Sequence, residues 1–198
     1  MAYNSAATRK RLLDAAFEEF SERGLAGARV DRIAAVASAN KQAIYAYFGS
    51  KDGLFDAMLE DRLGSLADAV PFLPDDLPRY AGTLFDHLVV NPELVRLNQW
   101  KFLERADVST AEADSYRDKA QALLTAGQAR GTDETTAVDL LLLVMNLTFV
   151  WTTIAPTVRA IGGADEAERL RRHRAAVVAS ASAITSALTT SPVATDDQ

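Results

Sequence analysis

Apolar side chains recur every three to four residues along almost all of this chain, and nowhere does the sequence show a convincing alternating strand segment or an Asn-Gly hairpin signal. Helices that carry such stripes can only hide them against one another, so the predicted fold class is all-α. At 198 residues, 48% apolar and 24% charged, the composition is that of an ordinary globular protein, enough for one large domain or a small one joined to a larger one. No cysteine is present, which excludes disulfides, thiolate nucleophiles and cysteine-rich zinc sites.

Start and stop signals divide the stripes. A first helix is predicted over residues 8–23, ended by Gly24; a second over 30–37; a third from the N-cap Asn40 to Phe48; a fourth from the N-cap Ser50, with Asp52 near its positive end. Pro71, Pro74 and Pro78 then mark a connection. Beyond it come helices over 78–90, 92–106, 110–130 (opened by the capping box Ser109 to Glu112) and 133–160, and a last one opening with Asp165 and Glu168. The predicted organisation is a first domain over residues 1–50, a connecting helix over 51–70, a second domain over 71–190 and a disordered tail over 191–198.

The net charge of −6 looks unfavourable for a polyanion partner, but the sign is unevenly spread. Residues 9–51 hold eight basic side chains against five acidic ones, and the acidic excess lies in residues 65–198. The first domain alone can hold a polyanion. Residues 140–158 carry no ionised side chain, close to the ~20 residues that span a bilayer. Asn146, Thr148, Thr152, Thr153, Pro156 and Thr157 interrupt the run, so no membrane partner is expected. The N-terminus is polar and has no secretory pattern, so the chain is expected in the cytoplasm.

Two short helices joined by the three-residue turn 38–40 have the spacing of a helix-turn-helix, whose second helix enters the DNA major groove. Ile44 and Phe48 point inward, which leaves Asn40, Lys41, Gln42, Ala43, Tyr45 and Tyr47 at or beside the presented half. Gln42 suits adenine, Lys41 suits guanine O6 and N7, and Ala43 suits a thymine methyl. Arg29 and Lys51 flank this helix and suit phosphate. The alternatives stay open for each: Tyr45 and Tyr47 as core aromatics, the lysines as solvated charges.

The run Arg29-Val30-Asp31-Arg32-Ile33-Ala34, followed by Asn40-Lys41-Gln42-Ala43-Ile44-Tyr45-Ala46-Tyr47-Phe48-Gly49-Ser50-Lys51-Asp52-Gly53-Leu54-Phe55, resembles the TetR/AcrR family of transcriptional regulators over about residues 8–63. The resemblance implies an N-terminal DNA-binding domain, a helical regulatory domain, and a homodimer, more a repressor than an activator, that leaves palindromic operator DNA when a small-molecule effector binds. It implies neither enzymatic activity nor a cofactor. Three positions depart from the pattern. Arg29 replaces a threonine that caps the second helix and touches phosphate, Ser38 replaces a turn glycine, and Gln42-Ala43 replaces a common Gly-Thr pair, which shifts the bases read.

In the second domain and the connecting helix, Phe55, Met58, Phe85, Trp100, Leu124, Met145, Asn146, Phe149 and Trp151 either line an effector cavity or form plain core. Asn146 stands out as an amide in an apolar run, which needs a partner if buried. His87 and His173 have no second ligand at useful spacing, so no metal site is expected. Leu170, Val177, Ala181, Ile184 and Leu188 form a stripe on the last helix and are the expected dimer contacts, in a two-fold four-helix arrangement with the apolar helix before it. Two other classes would fit an all-helical chain, a protein-partner-binding module and a small helical enzyme; the second lacks a Gly-x-Ser-x-Gly motif and any cysteine.

Overall fold

A computed structural model describes residues 2–105, 107, 109–127, 132–161, 163 and 165–190. Among these the regular elements are helices: α1 (Ala2–Gly27), α2 (Val30–Val36), α3 (Lys41–Phe48), α4 (Lys51–Ala69), α5 (Leu77–Val90), α6 (Pro92–Glu104), α7 (Thr110–Gly127), α8 (Glu134–Thr153), α9 (Pro156–Arg159) and α10 (Glu166–Thr190). The expected tail over 191–198 lies outside the described residues. Two compact units result, neither simply the front or the back of the chain. The first is Met1–Ala69 with Pro92–Ala113, the second Val70–Asn91 with Asp114–Gln198.

In the first unit the apolar stripe of α1, Leu12, Leu13, Ala16 and Phe20, meets Ile33 and Ala34 of α2, Ile44 of α3, Leu54, Phe55 and Met58 of α4 and Leu97 of α6. Phe20 and Phe55 meet edge to face at 5.0 Å, and each large side chain buried this way contributes about 1.5–3 kcal/mol. Phe55 and Met58 are fully buried in this core, which corrects their assignment to a cavity of the second domain. Half-buried Trp100 also belongs to the first unit.

The second unit packs α5 against α8 and α10, and α8 against α10. Asp76 opens α5 by accepting the Arg79 N–H at 3.1 Å, and Asp133 opens α8 by accepting the Thr136 N–H at 2.7 Å. On α10 the Arg174 Nε donates to both carboxylate oxygens of Asp86 on α5, at 2.7 and 2.9 Å. The ring of His173 lies 5.7 Å from that of Phe85 and 5.3 Å from that of Trp151. Burial, with the Arg169 charge adding to it, holds the His173 imidazole below its ordinary value, so the ring stays neutral among these aromatics. Phe72 packs edge to face on Tyr80 at 4.9 Å, and burial pushes the Tyr80 phenol up to about 12.

Three expectations are corrected here. The apolar helix predicted to reach residue 160 stops at Thr153, because Pro156 has no N–H to continue the ladder and bars the helical conformation at Ala155; a separate short helix, α9, begins at that proline. Asn146 is not a buried amide: it lies exposed on α8 and donates from Nδ2 to the Leu142 carbonyl at 2.8 Å. Val177 and Ala181 are buried inside the chain's own second unit, 3% and 0% exposed, so they are not free to form dimer contacts. A helix has one apolar stripe to spend, and α5 and α8 of the same chain have taken it. Leu170 and Ile184 are half-buried, and only Leu188 of that set is exposed.

Candidate nucleic-acid interface

The recognition element is assembled by local capping. α2 has no side-chain cap: Arg29 at its N-cap position contributes only extended backbone, and its N–H is instead donated to Glu19 Oε1 at 3.0 Å. Asp31 in the first turn meets the helix dipole in place of a cap. α2 ends in a Schellman motif, with the Ser38 N–H on the Ala35 carbonyl at 3.1 Å and the Ala39 N–H on the Ala34 carbonyl at 2.9 Å. That motif needs a left-handed residue, and Ser38 supplies it at φ 49° although it is not glycine. Arg11 of α1 pins the turn by donating from Nε to the Ala37 carbonyl at 3.0 Å.

Helix α3 then starts at Asn40, whose side chain accepts the Gln42 N–H at 3.0 Å. One lone pair of its oxygen is thereby taken by the cap, and the Nδ2 donors remain for a base or phosphate. At the other end, Gly49 takes φ 75°, and Ser50 Oγ accepts the Gly53 N–H at 2.9 Å to start α4. A Cβ on Gly53 would fall 2.1 Å from the Phe48 carbonyl oxygen, so the α3–α4 corner closes only around glycine. Ile44 is fully buried and Phe48 half-buried, which anchors one face of α3.

The opposite face stands in solvent. Lys41, Gln42, Tyr45 and Tyr47 are all exposed, Tyr45 at 46% and Tyr47 at 38%. The core-aromatic alternative for the tyrosines therefore fails. Lys41 reaches back to Asp31 Oδ1 of α2 at 2.8 Å, and that hydrogen bond raises its ammonium above the ordinary value, so it is fully charged. The pair is exposed and screened, and so easily exchanged for a phosphate or a base edge. Arg29 is exposed beside α2. Ala43 is half-buried against the core, a less open position than a thymine-methyl contact asks for. Lys51 is half-buried, and its ammonium donates to the Leu25 carbonyl at 2.7 Å and the Ala28 carbonyl at 3.3 Å. An ammonium has three donors, so one stays free for phosphate.

Two residues outside the motif complete the scaffold. Arg32 donates from Nε to Glu19 Oε1 at 2.7 Å and from Nη2 to the Gly27 carbonyl at 3.0 Å. Burial works against charge on Glu19, but the hydrogen bonds from Arg32 and the Arg29 N–H outweigh it and hold the carboxyl below its ordinary value. Glu104 of α6 accepts the N–H groups of Leu25 and Ala26. No local pattern in the sequence points to either residue, since Glu104 and Leu25 lie 79 positions apart.

Comparison with known proteins gives the same architecture. Residues 12–58 match the family described as bacterial regulatory proteins, tetR family, and residues 76–182 match the tetracyclin repressor-like C-terminal domain. The chain belongs to the TetR family. Its relatives in that family include the HTH-type transcriptional repressor SCO4008 of Streptomyces coelicolor, 41% identical over 166 residues, which cover 80% of this chain and 86% of the relative. The HTH-type transcriptional repressor NicS of Pseudomonas putida is 28% identical over 177 residues, 82% of this chain and 84% of the relative. Among solved structures, the transcriptional regulator SCO4942 from Streptomyces coelicolor superposes with a TM-score of 0.75 at 35% identity, covering 89% of this chain and 97% of that one. As a member of the TetR family this chain is a transcriptional regulator with a helix-turn-helix, and the family is not one of enzymes.

Proposed function

We propose that the chain is a cytoplasmic homodimeric repressor that reads a palindromic operator with the N-terminal half of α3 and leaves it when a small-molecule effector binds. The observation that carries the DNA reading is the exposure of Lys41, Gln42 and Tyr45 on a helix whose other face and both ends are fixed. In the groove Gln42 pairs with adenine, Lys41 trades Asp31 for guanine or phosphate, and Tyr45 and Tyr47 present hydroxyls to the backbone or a base edge. Arg29, the spare donor of Lys51 and the Asn40 amide hold phosphates on either side.

The dimer rests on α8 and α10. Leu142, Leu143 and Val150 form an exposed apolar face on α8, and Ala175, Ala179 and Ala183 give α10 an outward face of small side chains. Four such helices close into a two-fold bundle, with Leu188 at its edge. This presents two α3 helices ~34–36 Å apart, or further for longer operators. For the effector we assign Phe85, Leu124, Met145 and Phe149 of the second unit. α4 ends at Ala69 and the chain enters that unit at the next residue, Val70, so the tilt of α4 is the proposed means of release. A coupling of about 1–3 kcal/mol changes operator affinity about 5- to 150-fold.

Selection of bound duplexes from a random pool tests the reading. The expected result is one enriched palindrome whose binding weakens steeply with salt; absence of any enriched sequence overturns it.

A further inference from the structure

The turn that leads from α1 into α2 is gripped by α6 and α4 of the first unit and by α2 itself. At Gly24 the backbone leaves the helical region, φ 68° and ψ 178°, and the chain then runs through Leu25 to Ala28. Both sides of the Leu25 peptide are taken. Its N–H and that of Ala26, the latter at 3.2 Å, go to Glu104 Oε2 on the last turn of α6. Its carbonyl accepts the Lys51 ammonium of α4 at 2.7 Å. The Gly27 carbonyl accepts from Arg32 of α2 at 3.0 Å.

The approach of α6 is close enough to exclude any side chain at position 24. A Cβ there would lie 2.7 Å from Glu104 Oε1 and 2.8 Å from the Trp100 ring. One residue beyond Glu104, Arg105 pairs with Asp56 of α4 and lies over the Phe55 ring at 5.8 Å. Through Glu104 and the Arg105 that follows it, this end of α6 thus bonds to the start of the reading head and to α4. In the chain, Pro92–Ala113 is joined at both ends to segments of the second unit, at Asn91 and at Asp114.

We propose that Glu104 is a positioning residue for DNA recognition: its carboxylate fixes the turn between α1 and α2, and through it the angle at which α3 is presented to the groove. The inference rests on the DNA reading given above. A carboxylate suits this task because two backbone N–H groups converge on one of its oxygens, a charge-assisted arrangement stronger than one between neutral groups. Glu104 touches no base and no phosphate in this scheme. Its effect is on how well two α3 helices match two half-sites at once, because a small error of angle at each head is felt across the whole operator. A displacement of the Pro92–Ala113 segment reaches α3 through the same carboxylate.

The test uses the full chain, the duplex selected by it, a random duplex of equal length and a selected duplex with its spacer changed by one base pair. Glu104→Ala is expected to bind the selected duplex about tenfold more weakly, on the order of one lost charged hydrogen bond. It is expected to bind the random duplex as the native chain does, and to lose discrimination against the altered spacer. Glu104→Gln keeps an oxygen acceptor and is expected to restore most of the ratio. Amide exchange at Leu25 and Ala26 should speed up in Glu104→Ala while that at Leu13 in the core does not, which separates a freed turn from a failing fold. Equal weakening on selected and random duplexes, an unchanged ratio, or acceleration throughout the core overturns the inference. If the native chain itself enriches no duplex, the DNA reading falls and takes this inference with it, an outcome distinct from failure of Glu104 alone.

Discussion

Helices α3 and α8 are built in opposite ways. α3 has eight residues, a cap at each end and one fully buried side chain, Ile44; its outward face is polar and aromatic. α8 has twenty residues, buries Leu140, Leu141, Val144 and Trp151, and still exposes Leu142, Leu143 and Val150. By length and apolar composition alone α8 could cross a membrane, but one of its faces is already packed on α5 and α10. The contrast shows two ways of leaving a surface unfinished. The face of α3 is stable in water and, in the proposed reading, gains specific contacts when a charged partner arrives. The face of α8 is costly in water and is relieved by another apolar surface, which in the proposed dimer is that of a second copy of the chain.

The contrast breaks most severely at Gly24. Gly24→Ala places a Cβ into Trp100 and Glu104 at a backbone angle that L residues avoid. The expected loss is roughly 3 kcal/mol, from strain and overpacking together, measured by urea unfolding. Leu142→Glu acts on α8: it should weaken the proposed dimer by about 2 kcal/mol, seen as a shift to monomer in sedimentation, with helical content unchanged. Ser38→Gly sharpens the picture of the recognition turn. It relieves the left-handed φ of 49° and should stabilise the first unit by about 1 kcal/mol in the same unfolding assay.

The smallest effect is on pH dependence. Glu19 has a folded value below its ordinary 4.5, so its contribution is complete above about pH 4.5 and fades as pH falls through the folded value. Glu19→Gln removes this dependence, and the stability curves of the native and variant chains should converge as the solution is acidified below that point.

What the sequence revealed follows the same division. α3 began after Asn40 and ended at Phe48 as predicted, because its caps are local: Asn40 and Gly49 act on backbone within a few residues. The break at Gly24 and the start of α7 at Thr110 were legible for the same reason. The end of α8 differs from the apolar pattern although its cause, Pro156, stands in the sequence: hydropathy runs on to residue 160, but the proline ends the helix at Thr153. The role of Val177 and Ala181 was not legible, since a stripe on α10 does not say whether its own chain or a partner covers it. Phe55 and Met58 showed the same ambiguity between cavity and core. Glu104 was invisible because its partners at Leu25 and Ala26 meet it only through the fold.

Single-base variants of the selected half-site test whether the exposed start of α3 identifies bases. Against that panel Gln42→Ala should lose its preference at one position of each half-site and keep the others, while Arg29→Ala should weaken binding to every variant alike. A Gln42→Ala protein that loses affinity by one common factor across the whole panel would contradict the claim.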